Sequence, residues 1–204
     1  MRFLKLKEKL GDQLVFTSND IKKIDNNFSY RRLSEWQDKD YITKIIKGYY
    51  IFSNIEINEE VLFSIANKIY TPSYVSLESA LSYYNFIPEG VFKITSISTK
   101  KTNEFETKVG SFIYKNIKPS YFSNYIVIGK KERKIKIASP EKAIVDYFYF
   151  TYDIKTKADI ESLRFNKNII QEEADPQKIR EIIKKIGNKS LSKRVNKFLS
   201  INYA

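Results

Sequence analysis

The sequence contains no cysteine and no histidine. Without thiols there is no disulfide framework, no thiolate zinc site and no cysteine nucleophile. Without imidazole, Ser-His-Asp triads, histidine-ligated metals and imidazole acid–base chemistry fall away together. Any catalysis would have to run on carboxylates, lysine, tyrosine or serine. Long apolar runs are missing too, and nothing approaches the roughly eighteen uncharged residues of a membrane span. The first residues, Met1-Arg2-Phe3-Leu4-Lys5-Leu6-Lys7-Glu8, alternate charge with apolar side chains and lack the core of a signal peptide. No Gly/Ser-rich or Pro-rich linker and no internal repeat is visible. The expectation is a soluble, cytoplasmic protein with no membrane partner.

What is present is enough for a core: 204 residues, 42% hydrophobic and 29% charged, a length that suits one large domain or two small ones. Lys and Arg number 36 against 24 Asp and Glu, a net charge of +12. Such a balance favours polyanionic partners, because each phosphate neutralised by Lys or Arg releases condensed counterions. The basic excess is spread along the chain, so a binding face has to be found from pattern. The polar stretch Ser53-Asn54-Ile55-Glu56-Ile57-Asn58-Glu59-Glu60 marks the boundary between an N-terminal domain, 1–53, and a second domain, 54–204.

Residues 1–53 read as three helices and a hairpin. Phe3, Leu6 and Leu10 lie at helical spacing before Gly11. Thr17 followed by Asp20 is a capping box with Asp in place of Glu, opening a short helix to about Ile24. Asp25-Asn26-Asn27 is turn chemistry, and Ser29 is a good N-cap for a third helix to about Lys39 with Leu33 and Trp36 inward. Tyr41–Ile45 and Tyr49–Phe52 flank a Lys47-Gly48 turn. Beyond residue 54 the pattern predicts helices at Glu59–Ile69, Leu77–Tyr84 and Ser139–Phe150, and strands at Val91–Ser98, Ser111–Tyr114, Tyr125–Ile128 and Lys134–Ile137. Two or three helices should close the chain, one opened by Asp175-Pro176 and the last by Ser190. The fold class is α+β: an N-terminal winged helix-turn-helix, then a mixed domain with a small sheet and C-terminal helices.

Helix, tight turn, Arg-bearing helix and Lys-bearing hairpin form the layout of a winged helix, whose second helix can enter a major groove. The candidate DNA-binding residues are Ser29, Tyr30, Arg31, Arg32 and Ser34 on the recognition helix and Lys44, Lys47 and Tyr49 on the hairpin. Arg suits a bidentate contact with guanine, whereas Ser29, Tyr30 and the hairpin lysines suit phosphates. Tyr49 and Tyr50 alternate in direction, so only one of them should be exposed. Each member also has an ordinary reading: an Arg pair is often a solvated helix face, and a Lys-Gly turn is common hairpin chemistry.

The run Ser29–Trp36 followed by Tyr41–Ser53 resembles the N-terminal winged helix of AbiEi-family antitoxins. Tyr74–Tyr84 with Ile87-Pro88-Glu89, Ile94–Ser98, Gly110–Tyr114 and Ile137–Tyr147 continue the resemblance in order, over roughly Phe16 to Phe150. Its more specific parts are Ser-Leu-Glu-Ser-Ala-Leu (76–81) and Ala-Ser-Pro-Glu-Lys-Ala (138–143). The resemblance implies a DNA-binding regulator and antitoxin of a type IV toxin–antitoxin system. Its first domain would bind inverted repeats of double-stranded DNA in its own promoter. Its second would counteract a nucleotidyltransferase-like toxin without a stable complex. No enzyme activity, catalytic residue, metal or cofactor is implied, and residues 151–204 match only as a generic helical tail.

Read without the family, Leu77, Ala80, Leu81 and Tyr84 are an ordinary apolar helix face or a partner surface. Lys142 and Asp146 are spaced i,i+4, worth a few tenths of a kcal/mol when exposed. Three rival functions stay open: a stand-alone winged-helix regulator, a basic nucleic-acid-binding adaptor using the Lys- and Arg-rich tail, and a Mg-dependent nuclease built on Glu104, Glu106 and Lys108. Alternating charges of that last kind are also the usual exposed face of an edge strand.

Overall fold

The computed structural model describes residues 1–129 and 134–203. The first element, α1 (Phe3–Leu10), buries Leu6 and Leu10. It is followed by β1 (Phe16–Thr17) and α2 (Ser18–Ile24). The expected capping box is formed: the Thr17 hydroxyl accepts from the Asp20 N–H at 3.2 Å, and Asp20 Oδ2 accepts from the Thr17 N–H at 2.9 Å. Next come α3 (Arg31–Asp38), β2 (Ile42–Ile46) and β3 (Tyr49–Phe52). The three strands make an antiparallel sheet in the order β1-β3-β2. The hairpin turns on Lys47-Gly48, where Gly48 takes a φ of 84° that a side chain would disfavour.

One expectation here is corrected. Ser29 does not cap α3: the helix opens one residue later on Tyr30, which already has helical dihedrals (φ −62°, ψ −20°) and offers no side-chain cap. An N-cap requires extended backbone to aim its oxygen at the second or third N–H, and Tyr30, which holds that position, is already helical.

The remaining elements are α4 (Glu59–Ile69), β4 (Ser73–Val75), α5 (Leu77–Tyr83), β5 (Lys93–Ser98), β6 (Asn103–Thr107), β7 (Gly110–Asn116), β8 (Tyr125–Ile128), β9 (Ile135–Ala138), α6 (Pro140–Phe150), α7 (Lys157–Ser162), α8 (Lys167–Glu173), α9 (Pro176–Ile186) and α10 (Lys189–Asn202). The expected small sheet is in fact six strands wide, in the order β6-β7-β5-β4-β9-β8, with β5–β7 and β4–β9 parallel. It is wider because β4, which the sequence pattern did not mark as a strand, is inserted in its middle, and β6, whose alternating charges carry the edge-strand reading, adds to its edge. Four helices rather than two or three follow α6 among the described residues, since α7 and α8 carry their own caps at Thr156 and Asn166. The last helix opens at Lys189 on an Asn188 cap, slightly before Ser190.

The core is divided. One cluster is drawn from residues 6–52 alone, with Leu6, Phe16, Ile21, Phe28, Leu33 and Trp36 among its members. The larger one runs through the six-stranded sheet and the later helices. It also takes in Leu14, Val15, Ile45 and Ile51, so the small sheet is packed on both faces.

Within the larger cluster sits a polar group that the sequence showed only as an i,i+4 pair. Lys142 and Asp146 on α6 are both fully buried, with Nζ to Oδ1 at 2.5 Å. The other carboxylate oxygen accepts from Tyr74 Oη and Ser76 Oγ, each at 2.9 Å. Nearby, the Ser79 hydroxyl accepts from the Thr95 N–H at 2.8 Å and the Thr95 hydroxyl donates to the Ser76 carbonyl at 2.8 Å. These bonds fasten β4, α5, β5 and α6 into one block. Leu77, at the strand-to-helix junction, adopts a left-handed φ of 56°. Such a conformation costs a non-glycine residue about 1–3 kcal/mol and persists only where the surroundings enforce it.

Candidate nucleic-acid interface

The first turn of α2 is set by its cap. Burial opposes ionisation of Asp20, but bonds from the Thr17 hydroxyl and N–H, then the charges of Lys23 and Lys68, hold its carboxyl below the ordinary carboxylate range. Lys22 and Lys23 follow on the exposed side. The turn to α3 is anchored by Phe28, whose ring lies 5.4 Å from that of Trp36, and Phe3 meets Trp36 edge-on at 5.7 Å. Only Leu33 and Trp36 of α3 are buried.

Ser29, Tyr30, Arg31, Arg32 and Ser34 are all exposed, as are Lys44 and Lys47. They do not form one continuous set. Arg31 reaches along its own helix to Glu35 (3.8 Å), an exposed pair of little energetic weight. Arg32, a hundred degrees further round, donates to the Met1 carbonyl at 2.5 Å and is drawn towards the start of α1. Tyr30 meets Phe28 edge-on and carries the Lys22 ammonium 5.3 Å from its ring centroid. Lys22, which sequence reasoning passed over, therefore joins the opening of α3. Its signal was available as an exposed basic residue on the helix before the turn, but its direction depends on how α2 crosses α3.

On the hairpin, strand alternation separates the residues. Lys44 pairs with Tyr50 and shares its face, on the helix side. Burial, and the neighbouring Tyr30, raise the Tyr50 hydroxyl above the usual phenol range. Tyr49 is on the opposite face and packs half-buried against the larger cluster, while Tyr50 is buried. Neither tyrosine is freely exposed, because the small sheet is covered on both sides. The helix-side set is thus Lys22, Tyr30, Arg31, Ser34 and Lys44, with Lys47 at the hairpin turn.

The acidic run on β6 forms a different arrangement. Glu104 and Glu106 both bind Lys93 Nζ, at 2.7 and 3.2 Å, and Glu106 also accepts from the Ser111 hydroxyl. Lys108 lies in the turn beyond them, and β6 is an edge strand. On the basic tail, Ile179, Ile182, Ile183 and Ile186 are buried, and Lys178, Arg180, Lys184 and Lys185 face solvent.

The two most specific segments of the resemblance, 76–81 and 138–143, lie largely in the interior. Ser76, Leu77, Ser79, Ala80 and Leu81 are buried, as are Ala138, Glu141, Lys142 and Ala143. They build the block around Asp146 and leave Glu78, Ser139 and Pro140 partly exposed. No helix among the described residues is long and apolar enough to cross a membrane. Compared with known proteins, the chain matches no family model and no curated sequence.

Proposed function

We propose that this chain is a DNA-binding transcriptional regulator that reads duplex DNA through α3 and the β2–β3 hairpin, and that the rest of the chain acts as an antitoxin. The observation that carries the DNA-binding half is the way α3 is held. It spends Leu33 and Trp36 on packing and turns Arg31 and Ser34 outward, beside Tyr30 and Lys22, in a three-helix unit with the sheet order β1-β3-β2. That order of elements is the order of a winged helix. Arg31 is the residue for a base edge, while Lys22, Lys44 and Lys47 neutralise phosphates.

The antitoxin half rests on the resemblance of residues 74–147 to AbiEi-family proteins. It implies a nucleotidyltransferase-like toxin as functional counterpart, with repression of the chain's own promoter through inverted repeats. Because the segments 76–81 and 138–143 are largely core, the residues acting against a toxin are sought on the surface that core supports.

Gel shifts on the DNA upstream of the gene test the first half. Arg31→Ala should relax base specificity, and Lys44→Ala or Lys47→Ala should weaken all duplexes alike and lower the salt slope by about one. Unchanged binding in all of these variants removes the assignment. Growth rescue on co-expression with the toxin candidate encoded next to it tests the second: rescue should survive Arg31→Ala, and absence of rescue by the wild-type chain sinks the antitoxin reading.

A further inference from the structure

A cavity of about 420 Å³ lies at the seam where the N-terminal segment meets the six-stranded sheet. Its apolar wall is Leu14 and Val15, just before β1, with Val127 on β8. Its polar lining includes Asn67, Lys68 and Thr71 at the end of α4, and Lys134 and Lys136 at β9. Among the described residues no carboxylate lines it, and none of its three lysines forms an ion pair. A concave site lined by one sign of charge concentrates potential and draws counter-ions.

Asn67 adds a second, independent observation. Its Oδ1 accepts from the Lys136 N–H at 2.5 Å, completing β9 beside the single β4 pairing of Val75 with Ile137. That bond fixes the orientation of the amide and leaves its Nδ2 buried without a partner. A buried donor without an acceptor costs free energy, so this amide calls for a partner such as a water, an ion or a ligand oxygen.

We propose that this seam cavity binds a phosphate-bearing anion of nucleotide size. Lys68, Lys134 and Lys136 surround the phosphates, Asn67 Nδ2 donates to a phosphate oxygen, and Leu14, Val15 and Val127 receive the apolar face of the base. The volume falls within the range of small-molecule sites, about 300–1,000 Å³. A guest here touches both the segment leading into α2 and the end of α4, and the charge of Lys68 already reaches Asp20 at the start of α2. The site therefore ties together the two parts of the chain, whether or not α3 reads DNA.

Equilibrium dialysis of the full chain with ATP, with pyrophosphate as competitor and adenosine as control and no DNA present, tests the proposal. ATP should bind and pyrophosphate displace it, with adenosine much weaker. The Lys68→Ala/Lys136→Ala double variant should weaken ATP by at least about tenfold. Asn67→Asp keeps the acceptor for the Lys136 N–H but replaces the donor with negative charge, so it should do the same with an unchanged circular dichroism spectrum. No binding of ATP or pyrophosphate at millimolar concentration overturns the proposal, and so does unchanged affinity in both variants. Weakened duplex DNA binding by the lysine variant, without nucleotide binding by the wild type, also overturns it and assigns those lysines to a DNA backbone.

Discussion

Lys142 and Asp146 form an ion pair one helical turn apart with no exposure of either side chain, Nζ to Oδ1 at 2.5 Å. Two hydroxyls, from Tyr74 and Ser76, complete the carboxylate. Burial, then the charge and hydrogen bond of Asp146, push the Tyr74 phenol far above its usual range, so it remains a donor at any working pH. Desolvating two charges offsets much of their attraction, yet removing one partner strands the other. Lys142→Met should therefore destabilise the protein by about 3–5 kcal/mol. Adding Asp146→Asn should cost less than the sum of the single changes. Denaturant unfolding of the three variants measures this, and a wild-type midpoint for Lys142→Met would contradict the burial of the pair.

The α2 cap has a pH signature. Asp20 is depressed below its ordinary value of 3.8 in the folded chain, so its contribution is fully present above that value and is lost as pH falls through the lower folded value. Asp20→Asn should flatten stability against pH in that acid window and lower stability by a roughly constant amount above it. Thr17→Ala removes the reciprocal bond and should cost about 1 kcal/mol at neutral pH. Equal acid sensitivity of wild type and Asp20→Asn would show that other carboxylates dominate.

Gly48 accounts for the tight hairpin. Its φ of 84° is left-handed, and its carbonyl accepts from the Ser18 N–H at 3.1 Å. A Cβ there would lie 3.6 Å from Ser18 Oγ, an ordinary contact, so the penalty is conformational rather than steric. Gly48→Ala should lower stability by about 1 kcal/mol, read as a shift in thermal midpoint. A neutral or stabilising effect would mean that the turn has another conformation.

Lys22 joins the candidate interface through Tyr30, 5.3 Å from the ring centroid. Under the proposed function, Lys22→Ala should weaken specific and non-specific duplexes equally and lower the salt slope by about one, with stability changed by no more than about 0.5 kcal/mol. A change confined to one DNA sequence would make Lys22 a base reader and redraw the interface.

Much of the local structure was legible. The capping box at Thr17 and Asp20 is formed, Ser139-Pro140 opens α6, and Asp175-Pro176 opens α9. The spans Glu59–Ile69 and Tyr125–Ile128 occur residue for residue as expected. Ser29 was misread because a capping residue type says nothing about the backbone of the turn that carries it. Strand β4 escaped because all three of its residues are buried, leaving no alternation to detect. At the candidate interface the residue types were legible, but not that Arg32 turns to Met1 or that Tyr49 faces the larger cluster.

By itself, the sequence determined the absence of thiol and imidazole chemistry, the basic balance and the start and stop of most helices, since each follows from composition or from bonds within a few residues. The tertiary structure decided what those elements face. An i,i+4 Lys–Asp pair reads the same on a surface as in a core. Only the packing of α6 against α5 and α9, with β4 supplying Tyr74, takes Lys142 and Asp146 out of water. The order of the six-stranded sheet, the second covered face of the small sheet and the seam cavity are likewise products of long-range contact, which short-range pattern does not encode.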